Sequence, residues 1–495
     1  MKRIFLLFVV LFIAGLLQKS TAQQLTFANT DKSFKRMYSK VIGQNEQGYF
    51  ILKSNYPFNN KQNQLRLRDN NIAISLLNKN LSLVWNLNVQ LPDPTADIQD
   101  IQFLSDSLFL FYTTINKVNS SSDLYAIKLD IKKGELNAAP TKLVSIAFDR
   151  KSNRGVYYIQ QSKNGKLFST MYKQPAGEND KMAIDVHVFQ SDLNLVWHQN
   201  YPTEFFDGVL LLNDFKLGND SALYFLTSLD LGKKTLRNRN FNLSIASPTS
   251  ATLLNIPINQ DKLFLNDLHM EIDELNGKVV LAGFYSEMNS TSSAGIFTAN
   301  FLVDSQKWTK NTESFKAKFL NEFVAERTVN RGTELINYFI DRLVLRSDGG
   351  IILVAESNYV TESTNYNSYY QMYTTSYTYH YDNVLLFSIH PNGKIDWEQI
   401  IRKNQVSDDD AAFYSSYTMA VDADRIYFVY NKSIKKASEL AAFSVSNKGL
   451  SDEKIIAKEN ENILLMPAGA KQITADQLLV PCLVKSKLNL VRVSF

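Results

Sequence analysis

The sequence predicts an all-β protein: an eight-bladed β-propeller of four-stranded blades, closed by its N-terminal strand. Three observations predict it. A β-like run returns at near-constant spacing, a turn-plus-tryptophan signature recurs between strands, and the chain end supplies one strand too few.

The recurring run follows a turn and begins at Tyr49, Leu108, Leu167, Leu223, Val279, Ile351, Ile426 and Leu478, at spacings of 59, 59, 56, 56, 72, 75 and 52 residues. Each run is rich in β-branched and aromatic residues bounded by turn formers, which is strand chemistry. Units seven and eight are the least regular, so seven blades is the alternative. With the strands of a unit named A to D from axis to rim, the signature lies between C and D. It reads Asn78-Lys79-Asn80-Leu81-Ser82-Leu83-Val84-Trp85, then Ser191-Asp192-Leu193-Asn194-Leu195-Val196-Trp197, then His390-Pro391-Asn392-Gly393-Lys394-Ile395-Asp396-Trp397, and in short form Asp304-Ser305-Gln306-Lys307-Trp308. All four tryptophans therefore hold one position early in the outer strand, after hairpin-forming residues. That placement predicts indoles packed between neighbouring blades rather than a ligand platform. The last unit has A near residues 470–473, B at 478–484 and C at 488–495, with no D to follow. Residues 25–28 form a strand ahead of the first A, and pairing them with the last blade closes the ring and covers an edge that would otherwise stand unpaired.

Composition agrees with a large folded domain and excludes several functions. The chain has 495 residues, 45% apolar, 12% aromatic and 21% charged, unlike a disordered chain. Lys2 and Arg3 precede the apolar run 4–17, and small residues stand at Ser20 and Ala22. This pattern predicts a secretory signal peptide over residues 1–22, since the run is too short to span a bilayer. The expected product is exported, to the periplasm or the cell exterior, as one domain over 23–495. Without Lys2, Arg3 and Lys19, 50 basic residues face 49 acidic ones. Such a chain has no general field for nucleic acid. Cys482 is the single cysteine, so neither an intramolecular disulfide nor a cysteine zinc site is available. A monomer is expected.

Strand alternation sends B–C and D–A connections to one face and A–B and C–D turns to the other. The long connections share the first face. Residues 312–332 place Phe315, Phe319 and Phe323 at i, i+4 and i+8 behind Ser314, which predicts a capped amphipathic helix, packed on the blade edge or offered to a partner. Residues 359–382 hold eight of the 24 tyrosines: Tyr359, Tyr366, Tyr369, Tyr370, Tyr373, Tyr377, Tyr379 and Tyr381. Tyrosine combines rigid area with a hydroxyl, as recognition surfaces require. Other B–C loops bring Lys61, Arg66 and Arg68, Lys233, Lys234, Arg237 and Arg239, and Lys432, Lys435 and Lys436, a positive rim able to steer acidic partners.

Four innermost strands begin with an aspartate: Asp100, Asp214, Asp267 and Asp341. They are expected near one mouth of the central channel, where they either bind a ligand or hold neighbouring blades by hydrogen bonds. His269, Glu271 and Asp273 share a side of one A strand. His187 and His198 should oppose each other across the turn at Leu193, and two imidazoles without a third ligand make a weak zinc argument. Asp408-Asp409-Asp410 reads as a solvated loop. No nucleophile elbow, His-Glu-x-x-His helix or phosphate loop is present, and neither a cofactor nor a metal is expected.

Several segments carry a resemblance when taken together. They are Asn337-Tyr338-Phe339-Ile340-Asp341, Asp348-Gly349-Gly350, the tyrosine-rich stretch, Tyr381-Asp382-Asn383-Val384, Pro391-Asn392-Gly393-Lys394-Ile395-Asp396-Trp397, Ser415-Ser416-Tyr417 and Arg425-Ile426-Tyr427-Phe428. The combination resembles a group of exported, uncharacterised Bacteroidetes propeller-like proteins, most sharply over residues 310–432. The resemblance implies a compartment and a fold, and brings no catalytic residues. The reading is a non-catalytic propeller that binds a protein or glycan through the face carrying the helix and tyrosine inserts. Its alternative is a hydrolase or lyase acting on polysaccharide or peptide at the channel mouth, through the four aspartates.

Overall fold

The computed structural model describes residues 24–28, 38–58, 71–137, 139–148, 156–174, 181–206, 210–229, 241–258, 263–288, 292–323, 334–367, 369, 372–434 and 438–495. Sheets follow one another along the chain from Tyr38, Asp97, Val156, Leu210, Phe264, Tyr338 and Thr418, each an antiparallel up-and-down meander of four strands. The second and sixth sheets add the short strands Glu135–Leu136 and Gln405–Asp408. In the final sheet Ile463–Leu465 and Lys471–Thr474 both pair with Gln477–Val484, which pairs with Lys487–Ser494. The outer edge of Lys487–Ser494 takes Gln24–Phe27, with Gln24 opposite Ser494 and Phe27 opposite Val491. The chain is thus all-β with a β-propeller's succession of meanders.

Burial separates the inner strands from the outer ones. Tyr49–Ser54 and Ile72–Leu77 are buried at every position, because sheets stack against both faces. Their sequences accordingly read as continuous apolar runs rather than alternation. The outer strand Leu83–Asn88 alternates half-buried and exposed residues, as a rim strand must. Apolar clusters join each sheet to the next. Phe50 and Leu110 meet between the first and second sheets, Phe111 and Phe168 between the second and third, and Phe387 and Ile296 between the fifth and sixth. The series ends with Val480 beside Val429, and with Leu479 and Leu490 against Val41 and Ile51 of the first sheet. Lys471 Nζ donates to Ile42 O at 2.7 Å, and Gln44 Nε2 to Ile473 O at 2.6 Å, across the same boundary.

The tryptophans fasten sheets from the rim. Trp85 Nε1 donates to Ile131 O at 2.8 Å, Trp197 to Ser221 O at 3.0 Å and Trp397 to Asn447 O at 3.1 Å, each in a turn of the next sheet. Two of those turns carry a glycine under the indole. Gly134 and Gly449 have φ of +69° and +76°, and a Cβ on either would stand 2.7 Å from Trp85 or Trp397. Both the left-handed backbone and the close approach require glycine. Trp308 instead packs on Phe301 of its own sheet, with ring centroids 4.9 Å apart.

The helix expected over 312–332 is a single turn, Ala317–Leu320. Ser314 does not cap it. That residue still belongs to the strand Lys307–Ser314 and its hydroxyl meets Tyr285 OH at 2.8 Å, so the N-cap passes to Lys316. Phe319 and Leu320 are buried, and Phe315 and Phe319 lie 5.4 and 5.3 Å from the Phe387 ring. The turn is packed onto the sixth sheet; residues 324–332 of the expected helix lie outside the described residues. Among the described residues no helix is long and apolar enough to cross a membrane. The leader 1–22 and the basic residues Lys61, Arg66, Arg68, Lys233, Lys234, Arg237, Arg239, Lys435 and Lys436 also lie outside them, while Lys432 pairs with Glu453 at 3.1 Å.

Candidate binding surface and the polar network beneath it

The B and C strands of the sixth sheet run on past the blade as one hairpin, Ile351–Asn367 paired with Met372–Ile389. Beyond the bulge between Glu356 and Asn358 about ten residues of each strand project, a length of roughly 30 Å at 3.3 Å per residue. Register sorts their side chains. Tyr366 opposes Tyr373, Thr364 opposes Thr375, Glu362 opposes Tyr377 and Val360 opposes Tyr379, at two-residue steps, so these share one face. The other face pairs Thr361 with Thr378, Ser363 with Ser376 and Asn365 with Thr374. One side therefore carries most of the tyrosines, and the other hydroxyls and amides with Tyr359 and His380 at its root. Tyr366 and Tyr373 touch at 4.9 Å between centroids, and Tyr359 stacks on His380 at 4.4 Å. Tyr369 and Tyr373 are 85% and 73% exposed, and Tyr366, Tyr377 and Met372 are exposed with them. Tyr370 lies outside the described residues.

The hairpin's root is braced. Strand Gln405–Asp408 pairs with Thr378 to Tyr381, which makes that part three-stranded. Asp408 accepts from Thr378 Oγ1 at 2.7 Å, Asp409 accepts from Tyr377 N at 2.8 Å, and Asp410 accepts from Ser407 Oγ at 2.8 Å. Asp408 and Asp409 are solvent-exposed as expected of this stretch, and they also buttress the hairpin. The chain then carries Phe413 across to the first sheet, 4.8 Å from Tyr38 and 5.0 Å from Phe58.

Below the root lies a polar network that the sequence did not reveal. Lys403 Nζ meets Glu356 Oε1 at 2.6 Å, with both side chains buried. The same ammonium donates to Gln405 Oε1 at 2.9 Å and Tyr381 O at 3.1 Å. Ser416 Oγ donates to the second Glu356 oxygen at 2.6 Å, and Gln405 Nε2 donates to Asn431 O at 2.6 Å. Burial pushes the Glu356 carboxyl up and the Lys403 amine down, each opposed by the charge of the other. Burial also raises Tyr381 to about 12. The network ties the hairpin to the seventh sheet and fixes where it points. Its one legible sign is a glutamate closing the apolar run Ile351-Ile352-Leu353-Val354-Ala355.

Each of the four aspartates sits at a β-bulge of an innermost strand. Asp100 accepts from Ile101 N and Gln102 Nε2, both at 2.8 Å, and Gln102 also reaches Ile159 O of the third sheet at 3.2 Å. Asp214 accepts from Phe215 N at 2.8 Å and from Met270 N of the fifth sheet at 3.2 Å. Asp267 accepts from Ile340 N of the sixth sheet, and Asp341 from Tyr417 OH of the seventh at 2.7 Å. All four thus serve the boundary with the following sheet. His269, Glu271 and Asp273 do not converge: they bond to Asp267 at 3.4 Å, Lys216 at 2.8 Å and Asn276 at 2.7 Å respectively.

His187 and His198 do face each other across the hairpin, with rings stacked at 4.0 Å. The third group that the sequence reading lacked is Asp185. Two residues before His187, it lies on the same side of the strand and close to both imidazoles, 2.9 Å from His187 Nδ1 and 3.1 Å from His198 Nε2. Strand periodicity alone could have found it.

No family model matches the chain, and no curated protein matches it. Similar solved structures include the WD40 domain of SCAP from fission yeast, 9% identical with a TM-score of 0.43, covering 96% of this chain and 95% of that one. Another is the β-propeller domain of the Trilobed protease from Pyrococcus furiosus, 10% identical with a TM-score of 0.33, covering 81% and 93%. A protein of unknown function from Bacteroides caccae is 11% identical with a TM-score of 0.27, covering 66% and 90%. These are likenesses of fold, and no residue, ligand or activity passes from them to this chain.

Proposed function

We propose that the protein is an exported, non-catalytic, eight-bladed propeller, closed by its N-terminal strand, that binds a protein or glycan partner through the tyrosine hairpin. The carrying observation is the stripe of Tyr366, Tyr373, Tyr377 and Tyr379 along one face of a projecting hairpin braced at its root. Exposed aromatic area held on a rigid element loses little entropy when a partner covers it. The hydroxyls of the opposite face suit polar partners. Closure and blade number draw support from the Gln24–Phe27 pairing and from apolar clusters that join the last sheet to the first. The non-catalytic reading draws support from the engagement of Asp100, Asp214, Asp267 and Asp341 in contacts between sheets. Export rests on the leader.

The test removes the stripe and leaves the fold. A Tyr366→Ser, Tyr373→Ser, Tyr377→Ser variant should lose its partners in affinity capture and its signal on a glycan array, with its circular dichroism unchanged. Full retention of both by the folded variant would overturn the assignment.

A further inference from the structure

Strands Lys181–Gln190 and Leu195–Phe206 of the third sheet bring together three metal-ligating side chains unconnected with the tyrosine surface. Asp185 and His187 are two apart on one strand, and His198 stands directly opposite His187 on the other. The period of two and the cross-strand pairing put all three on one face. Their ligand atoms lie within 4.8 Å of one another, and among the described residues this is the group of histidines and acids that converges so. His187 Nδ1 is 2.9 Å from Asp185 Oδ1, and His198 Nε2 is 3.1 Å from Asp185 Oδ2. Ligands bound at about 2.1 Å around a tetrahedral ion stand roughly 3.4 Å apart, so small side-chain rotations suffice. Asp185 and His187 are largely enclosed, whereas the His198 side chain is 44% accessible, which leaves a way in from solvent.

A second observation lies on the next strand. Thr170 opposes His187 and Tyr172 opposes Asp185, on the same face. Both hydroxyls are buried and lack a hydrogen-bond partner. Buried polar groups are seldom left unpaired without a functional reason, and a water on a bound ion is one species able to satisfy Thr170, directly across from His187.

We propose that Asp185, His187 and His198 bind a first-row divalent cation of the Zn²⁺ class, with one coordination position open. Two imidazoles and one carboxylate suit such an ion, and three protein ligands leave room for water or a small anionic ligand. His198 Nε2 and Asn200 Nδ2 hydrogen-bond Asp185 Oδ2, whereas Asp185 Oδ1, which faces His187 Nδ1, has no hydrogen-bond partner. A ring nitrogen binds the cation only where it carries no proton, so a proton on either facing nitrogen moves to the far one on binding. The competing structural role is a His–Asp–His hydrogen-bonded seam that binds nothing.

Titration calorimetry of the full chain with Zn²⁺ separates the two. The proposal expects one Zn²⁺ per chain, with affinity reduced on the order of 100-fold in His198→Ala and in Asp185→Asn. His269→Ala and His390→Ala should bind as the unsubstituted chain does. His198 lies at the accessible rim, so its variant keeps the fold, which circular dichroism checks. Zn²⁺ should also raise the thermal midpoint of the unsubstituted chain and not that of His198→Ala. Absence of stoichiometric binding, or equal binding by His198→Ala, would overturn the site.

Discussion

Replacing Lys403 by methionine isolates the energetics of the hairpin's root. The substitution keeps the length of the side chain and removes one buried charge. It leaves Glu356, 3% exposed, with Ser416 Oγ as its remaining hydrogen-bond donor, and strips Tyr381 O of the ammonium it accepts from. Unit charges 2.6 Å apart attract by about 6 kcal/mol at an effective dielectric constant near 20. Part of that attraction offsets desolvation, and breaking a buried pair from one side costs about 3–5 kcal/mol. The cost should depend on pH. Without Lys403, burial acts unopposed by it and holds the Glu356 carboxyl higher still, so the folded state binds more protons than the unfolded state. Stability then falls as pH rises from the unfolded value of about 4.3 through the raised folded value, and levels off above it. Urea denaturation of Lys403→Met should accordingly show a larger loss at pH 8 than at pH 5. The double variant Glu356→Leu, Lys403→Met should recover most of it, since an apolar pair of similar volume tolerates burial. A loss below about 1 kcal/mol at pH 8, or equal losses at the two pH values, would refute the reasoning.

Three further outcomes test other parts of the fold. Gly449→Ala should cost about 1–3 kcal/mol by thermal unfolding, because the added Cβ meets Trp397 at 2.7 Å on a backbone of φ +76°. Trp397→Phe should cost about 1 kcal/mol or more, since it removes the indole bond to Asn447 O at 3.1 Å; an unchanged midpoint would show the rim bond to be idle. A chain starting at residue 38 should aggregate, as measured by light scattering, because losing Gln24–Phe27 uncovers the edge of Lys487–Ser494. Full solubility and stability of that shortened chain would count against the closing strand.

The strands, their grouping in fours and the place of the tryptophans are properties of local sequence. A buried strand needs a short apolar run and a hairpin needs turn residues, and both requirements are met within a few neighbouring positions. The last unit, one strand short, likewise pointed to residues 25–28 as its completion, and Gln24–Phe27 pairs there. Local pattern failed where a tertiary neighbour decided the outcome. The phenylalanines after Ser314 have helical spacing, yet among the described residues one turn forms, where Phe387 offers a surface that Phe315 and Phe319 fill at once. The aspartates could be counted along the chain, but their engagement with the following sheet depends on how sheets abut. Glu356 and Lys403 are 47 positions apart in the sequence, and only the approach of two sheets makes a pair of them. An ion pair or a ligand set is a relation among distant residues in three dimensions, and nothing in a residue's immediate neighbours encodes that distance.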